Sequence, residues 1–244
     1  MTSEPSAAPA TGTRRRRGLL VFLRDVLIII LIAALVSFVV KTFIVRSFYI
    51  PSASMERTLM VNDRILVDEL TPRWAGYERG DVVVFQDPGG WLGDQPQPPA
   101  SPPLVQAIDG ILTFIGISAS DSQDHLVKRI IGLPGDHVVC CNALGQITIN
   151  GAPIDELDYL NLPEGNTAAS NEPFDVVVPD DSLWLLGDNR TRSRDSRAHQ
   201  ELPSGGFVPV SNVVGKAFLT TWPFGRIGAI DGHHQAFDSV PDEE

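Results

Sequence analysis

The chain is poor in residues that build metal and redox sites. Its 244 residues include two cysteines, Cys140 and Cys141. They are adjacent, so no C-x-x-C or comparable ligand spacing exists and a zinc site has no support. The ordinary reading of the pair is two small, partly buried residues, and a vicinal disulfide is the sharper alternative. No metal and no cofactor are expected. Positive charge is scarce beyond the N-terminus. Residues 1–24 carry five arginines and one glutamate, while the whole chain has a net charge of −11. The rest is therefore strongly acidic and has no basic stripe, which excludes a nucleic-acid partner. After residue 46 there is also no long amphipathic helical pattern.

What is there begins with one apolar run. Arg14–Arg17 form a basic block before it, and Val26–Val40 is fifteen residues without a charge, Ser37 being the one polar member. Counted out to Arg24 and Lys41, whose long side chains snorkel, eighteen residues in a helix span about 27 Å, close to a bilayer core of about 30 Å. A cleaved signal peptide would need small residues soon after the run. Here Lys41–Tyr49 is bulky and charged, and Ser52-Ala53-Ser54 comes late. A buried core helix would not need four arginines at its head. The expectation is an uncleaved anchor over 19–45, with a disordered basic tail at 1–18 in the cytoplasm and the body outside.

Beyond the anchor the pattern turns to β. Arg64–Val67, Asp81–Phe85, His125–Ile131, His137–Val139, Gln146–Asn150, Phe174–Val178 and Ser182–Leu186 are short Val/Ile/Leu/Phe-rich runs bounded by turn residues. Asn150-Gly151 is a tight-turn signal between two of them. The fold class expected is mainly β: an antiparallel catalytic domain over 46–230 after one N-terminal transmembrane helix. Two stretches read as surface insertions, one near 87–122, rich in Pro, Gly and Ser, and a polar one near 155–173. Within the first, Ile108–Ile117 is an apolar segment that either packs or touches membrane. Residues 231–244 read as an acidic tail.

Three further stretches concentrate chemistry-bearing residues: Tyr49-Ile50-Pro51-Ser52-Ala53-Ser54-Met55, a few residues past the anchor; Lys128-Arg129-Ile130-Ile131-Gly132-Leu133-Pro134-Gly135-Asp136; and Gly187-Asp188-Asn189-Arg190-Thr191-Arg192-Ser193-Arg194-Asp195-Ser196-Arg197. Singly, each has an ordinary reading as linker, turn or solvated loop. The second fits its ordinary reading least well, because Lys128 lies among Leu126, Val127, Ile130 and Ile131, where strand alternation can turn it inward.

Together the three resemble the type I signal peptidases, serine–lysine dyad peptidases. That family reads P-S-x-S-M after its anchor, K-R-x-x-G-L-P-G-D mid-chain and G-D-N-R-x-x-S-x-D-S-R later. All three blocks occur in order, and Gly80–Phe85 resembles a fourth. The resemblance covers roughly residues 25–85, 125–155 and 180–230. It implies Ser54 as nucleophile and Lys128 as general base. Ser52 and the Ser54 N–H would donate to the oxyanion. Ser193 and Asp195 would orient Lys128, directly or through neighbours, and Asp188, Asn189, Arg190 and Arg197 would hold their loop. Phe48, Ile50 and Val127 would line shallow pockets for small side chains. There are two departures: Arg57 stands where the family has proline, and Thr191-Arg192 replaces an acidic-amide pair.

The chemistry demands the same residue types. A serine hydroxyl needs a base to take its proton as it attacks. Lysine serves only when neutral, which burial favours, and serine–lysine pairs are a known variant of the triad. The activity implied is cleavage of N-terminal signal peptides after small-x-small sites. The partners implied are exported pre-proteins and membrane lipid, with the export machinery a further candidate. The location implied is the cell membrane, single-pass, with the catalytic domain extracytoplasmic. The rival enzyme is a self-cleaving, repressor-like serine–lysine peptidase, against which the anchor argues. The rival from another class is a catalytically silent, membrane-tethered β domain.

Overall fold

The computed structural model describes residues 12–43, 45–93, 124–166 and 168–241. Two units are described separately. The first is essentially the helix α1 (Gly12–Phe43), which starts two residues before the basic block and runs through the apolar stretch. Its side chains are described over 21–36. Among the described residues no helix is long and apolar enough to cross a membrane.

The second unit is built from antiparallel strands. Its larger sheet contains β1 (Val45–Tyr49), β2 (Arg64–Asp68), β3 (Val82–Gln86), β4 (His125–Gly132), β9 (Ser182–Leu186), β10 (Val208–Pro209), β11 (Val213–Trp222) and β12 (Gly228–Ala229). The strand order is β1-β2-β11-β3-β4-β9-β10, with β12 on β11. A smaller sheet has the order β7-β6-β5-β8, formed by β5 (His137–Cys140), β6 (Ile147–Ile149), β7 (Ala152–Pro153) and β8 (Phe174–Val177). A four-residue helix, α2 (Pro72–Ala75), is the one α-helix described after residue 46.

All seven anticipated strands are present within a residue or two of their expected bounds. Val, Ile and Phe fit the pleated, buried surface, and Val82, Val83, Val84 and Phe85 are at most 1% exposed. Asn150 (φ 52°) and Gly151 (φ 81°) turn β6 into β7 in the left-handed region, as that dipeptide demands. Five strands were not anticipated: the two-residue β7, β10 and β12, and the longer β1 and β11. β1 lies within Lys41–Tyr49, which the sequence marks only as bulky and charged. β11 carries Gly215 and Lys216, which interrupt a strand pattern. The glycine is required there, because a Cβ would lie 2.3 Å from Asp68 O on the adjoining strand.

Two expectations are corrected. The 155–173 stretch is not merely a surface insertion, since Glu156, Tyr159, Leu160, Ala169 and Ser170 are buried. Its polar groups find partners in the body, which makes their burial tolerable. Nor is 231–241 a free acidic tail. Phe237 and Val240 join the core with Trp184 and Leu186, and the carbonyls of Asp231 and Gly232 accept from Arg129 Nη1. Of the disordered tail expected at 1–18, residues 12–18 are instead the first turns of α1; residues 1–11, the segment 94–123 with Ile108–Ile117, and residues 242–244 lie outside the described residues. Cys140 and Cys141 are joined by a disulfide, the sharper of the two readings.

Candidate active site

β1 ends at Tyr49 and the chain turns through 50–63 before β2 begins. The Ile50 N–H donates to Asp63 O at 2.9 Å, and the Asn62 N–H donates back to Ile50 O at 2.9 Å. This crossing ties down both ends of the turn that carries Ser52 and Ser54. Its inner side chains, Ile50, Met55 and Leu59, are at most 2% exposed and share a core cluster with Phe48 and Val84. The turn is therefore a packed element rather than a linker.

Lys128 comes from β4, opposite Val83 of β3. It is 2% exposed and Ser54 is 6% exposed. Lys128 Nζ lies 2.9 Å from Ser54 Oγ and donates to Val127 O at 3.0 Å. Ser52 Oγ is 3.2 Å from Ser54 Oγ. Burial lowers the Lys128 pKa from 10.5 to about 8; the charges of Asp195 and Asp188 pull it up, and that of Arg197 pulls it down. An amine so placed is neutral far more often than one in water.

The two residues open into a cleft of 350 Å³, walled by Phe48, Ile50, Val127, Val84 and Leu92 and therefore mostly apolar. Among the described residues one side of β4 is unpaired here: β4 pairs with β3 from His125 to Arg129, but with β9 only from Arg129 onward. An extended peptide could add to the unpaired stretch as a further strand.

The 187–197 loop closes the site from behind through a set of buried ion pairs. Asp188 takes two hydrogen bonds from Arg129, both 2.9 Å, and one from Thr58 Oγ1 at 2.5 Å, which links the loop to the Ser54 turn. Arg129 also donates to Gly80 O at 2.7 Å and lies over the Tyr159 ring, 4.2 Å from its centroid. Arg190 pairs with Glu156, whose charge outweighs burial and keeps the guanidinium protonated. Arg197 grips Asp195 at 2.8 and 2.7 Å. Burial alone would raise the Asp195 pKa, but Arg197 and the Gly187 N–H outweigh it and hold the carboxyl below its ordinary value. Asn189 donates its side-chain amide to Glu56 at 3.1 Å and its backbone N–H to Ser54 O at 3.0 Å.

The structure thus brings Ser52, Ser54, Lys128, Phe48, Ile50 and Val127 to one cleft and places Asp188, Asn189, Arg190 and Arg197 in the loop behind it. Ser193 and Asp195 do not hydrogen-bond the lysine. Asp195 acts on it through charge alone. Ser193 Oγ is buried without a hydrogen-bond partner among the described residues, though close enough to Asp195 to help keep it ionised. Sequence reasoning missed Arg129, Glu156, Tyr159, Leu92 and Gly187. Arg129 and Gly187 each sit inside a motif block, which was the available signal, whereas Glu156, Tyr159 and Leu92 lie in stretches that match no block. Neither cysteine lines the cleft.

The Arg57 departure has a structural account. Arg57 has φ 95°, which proline cannot adopt with its φ fixed near −65°. Its guanidinium donates to Leu157 O at 2.8 Å and Leu160 O at 2.6 Å, fastening the Ser54 turn to the 155–160 segment. Restoring proline should therefore harm this chain. Arg57→Pro is expected to lose about 2–3 kcal/mol in denaturant unfolding, combining backbone strain with two lost hydrogen bonds. Unchanged stability would mean that the turn rebuilds freely.

Residues 23–222 match the family model described as signal peptidase, peptidase S26. The chain is 39% identical over 223 residues to signal peptidase I of Mycobacterium tuberculosis, covering 85% of this chain and 75% of that one. It is 36% identical over 254 residues to a probable signal peptidase I of Mycobacterium leprae, covering 93% and 86%. It is 33% identical over 211 residues to probable signal peptidase I-2 of Synechocystis, covering 86% and 78%. A crystal structure of a signal peptidase I from Enterococcus faecalis is similar at 25% identity over 57% of this chain, with a TM-score of 0.36, too loose a likeness to carry an argument. With a family match that spans most of its length, the chain belongs to the S26 family of signal peptidases.

Proposed function

We propose that this chain is a membrane-anchored serine endopeptidase that removes N-terminal signal peptides from exported pre-proteins after small-x-small sites. The observation that carries the reading is the buried Lys128 Nζ, 2.9 Å from Ser54 Oγ and 3.0 Å from Val127 O, at the end of an apolar cleft. Neutral Lys128 takes the Ser54 proton as Oγ attacks the scissile carbonyl. The resulting ammonium then gives the proton to the leaving amine. Ser52 Oγ and the Ser54 N–H stabilise the oxyanion, and water repeats the sequence on the acyl-enzyme.

The substrate lies along the open stretch of β4, with small side chains in the apolar wall formed by Phe48, Ile50 and Val127. Asp195, Asp188 and Arg197 set the electrostatics of the base, Ser193 helps keep Asp195 ionised, and Asn189 and Arg190 fix the loop that surrounds it. The anchor rests on the sequence: Val26–Val40 carries no charge, and the basic block before it sets the N-terminus in the cytoplasm and the catalytic body outside. Confinement to the surface where anchored precursors emerge raises their effective concentration.

Cleavage of a purified precursor with an Ala-x-Ala site tests the reading. Ser54→Ala should cut turnover by about 10³-fold or more while the protein stays folded. Retained turnover would remove Ser54 from the chemistry, and no cleavage by the unaltered protein would remove the activity.

A further inference from the structure

We propose that Leu92 is a specificity-determining residue that limits the size of the substrate side chain the cleft accepts; this rests on the peptidase reading above. Leu92 belongs to no strand, and it follows β3 in the stretch read as an insertion. Yet it lines the same cleft as Ser54, Lys128, Phe48 and Val127.

The segment is fixed by one carboxylate. Asp87 Oδ1 accepts the N–H groups of Gly89 at 2.8 Å and Trp91 at 3.0 Å, and Oδ2 accepts that of Leu92 itself at 3.0 Å. Three backbone donors on one ionised side chain give charge-assisted hydrogen bonds and a defined loop. The residue before Leu92 is equally constrained. Trp91 is 2% exposed. It stacks on His199 at 4.4 Å with an interplanar angle of 8°, and meets Phe85 edge-on at 5.5 Å. His199 Nδ1 in turn donates to Asp195 O at 2.8 Å.

Leu92 is thus gripped at its own amide and follows a wedged indole, so its side chain stands as a wall rather than a swinging gate. A branched aliphatic wall admits small apolar groups and competes for space with larger ones. Removing or adding a few carbons there should change discrimination by about 10–100-fold, the range that such a change in an apolar pocket produces.

The test uses the full chain and peptides spanning a signal-peptide cleavage site. One carries alanine at the third and first positions before the scissile bond; the others carry valine or leucine at one of the two. The readout is the ratio of kcat/KM for each bulky peptide to that for the alanine peptide. Leu92→Ala should raise this ratio at least tenfold at one of the two positions, and Leu92→Phe should lower it at the same position. Ratios within twofold of the unaltered protein in both variants, with the alanine peptide still cut, would overturn the assignment of Leu92. Absence of cleavage by the unaltered protein would instead overturn the peptidase reading. If Leu92→Ala fails to fold, the direction of the Leu92→Phe ratio decides alone.

Discussion

Replacing Lys128 with methionine should abolish turnover and make the protein more stable. The first effect follows from the site: no other described amine lies within hydrogen-bonding distance of Ser54 Oγ, and a serine without its base keeps only what binding and the oxyanion donors supply. A loss of about 10³-fold or more in kcat is expected. The second follows from the cost of burying an amine. A lysine held at about 8 in the folded chain and 10.5 in the unfolded one costs roughly 3 kcal/mol at pH 7. Methionine fills similar volume without that cost and forfeits two hydrogen bonds worth about 1 kcal/mol each. A net gain of roughly 1–2 kcal/mol is left. The sign has a pH signature. Between about 8 and 10.5 the unfolded chain binds the lysine proton that the folded chain does not, so the unaltered protein gains stability as pH rises through that window. The methionine variant lacks this gain, so its advantage is full below pH 8, is gone at about pH 9 and reverses towards 10.5, where only the lost hydrogen bonds remain. Denaturant unfolding at pH 7 and pH 10 measures the difference directly. A methionine variant less stable at pH 7 would show that Lys128 is not strained by burial.

Gly187→Ala should be nearly as damaging, and through geometry alone. A Cβ at 187 would sit 2.2 Å from Ser193 Oγ, 2.5 Å from Ser193 Cβ and 2.5 Å from the Ser54 carbonyl oxygen. These distances are too short to persist, and neither neighbour yields cheaply. Ser54 O accepts the Asn189 N–H, and the Gly187 N–H and O are themselves fixed by Asp195 Oδ2 and Arg190 Nε, each at 3.0 Å. Relief must therefore displace either the Ser54 turn or the loop behind Lys128. A shift of about 1 Å in a reacting group costs on the order of 10² in rate. The expected result is a kcat at least about 100-fold lower with KM changed little, because the apolar walls are untouched. Unimpaired kcat in a folded Gly187→Ala variant would show that the loop and the turn do not position each other.

How much of this was visible in the sequence depended on whether a feature is local. The Val-rich β3 and the Asn150-Gly151 hairpin are local, and they could be read directly. β11 was hidden because Gly215 and Lys216 break its pattern. The reason they are there is tertiary: the glycine lets β2 approach, and the lysine reaches Asp81 at 2.5 Å. β1 was masked by the apolar run it adjoins. In the site, the motif blocks were enough to nominate Ser54 and Lys128. They could not show that Arg129, beside the base, would cross to Asp188, nor that Glu156 would meet Arg190. Partners 59 and 34 residues apart leave no mark on local pattern. The polar 155–173 stretch looked like surface for the same reason: Glu156 is acceptable in the interior only with its arginine.

The central claim, a neutral Lys128 as the base for Ser54, is tested most directly by the pH dependence of kcat/KM on a single precursor. With a pKa of about 8, roughly one lysine in ten is neutral at pH 7 and one in a hundred at pH 6. The rate should climb tenfold per pH unit up to about 8 and then level off. His125 supplies the competing base, since its ring lines the same cleft beside Phe48 at 5.2 Å. An acidic limb that disappears in His125→Ala would contradict the account, whereas a limb near 8 that persists in that variant is the result it predicts.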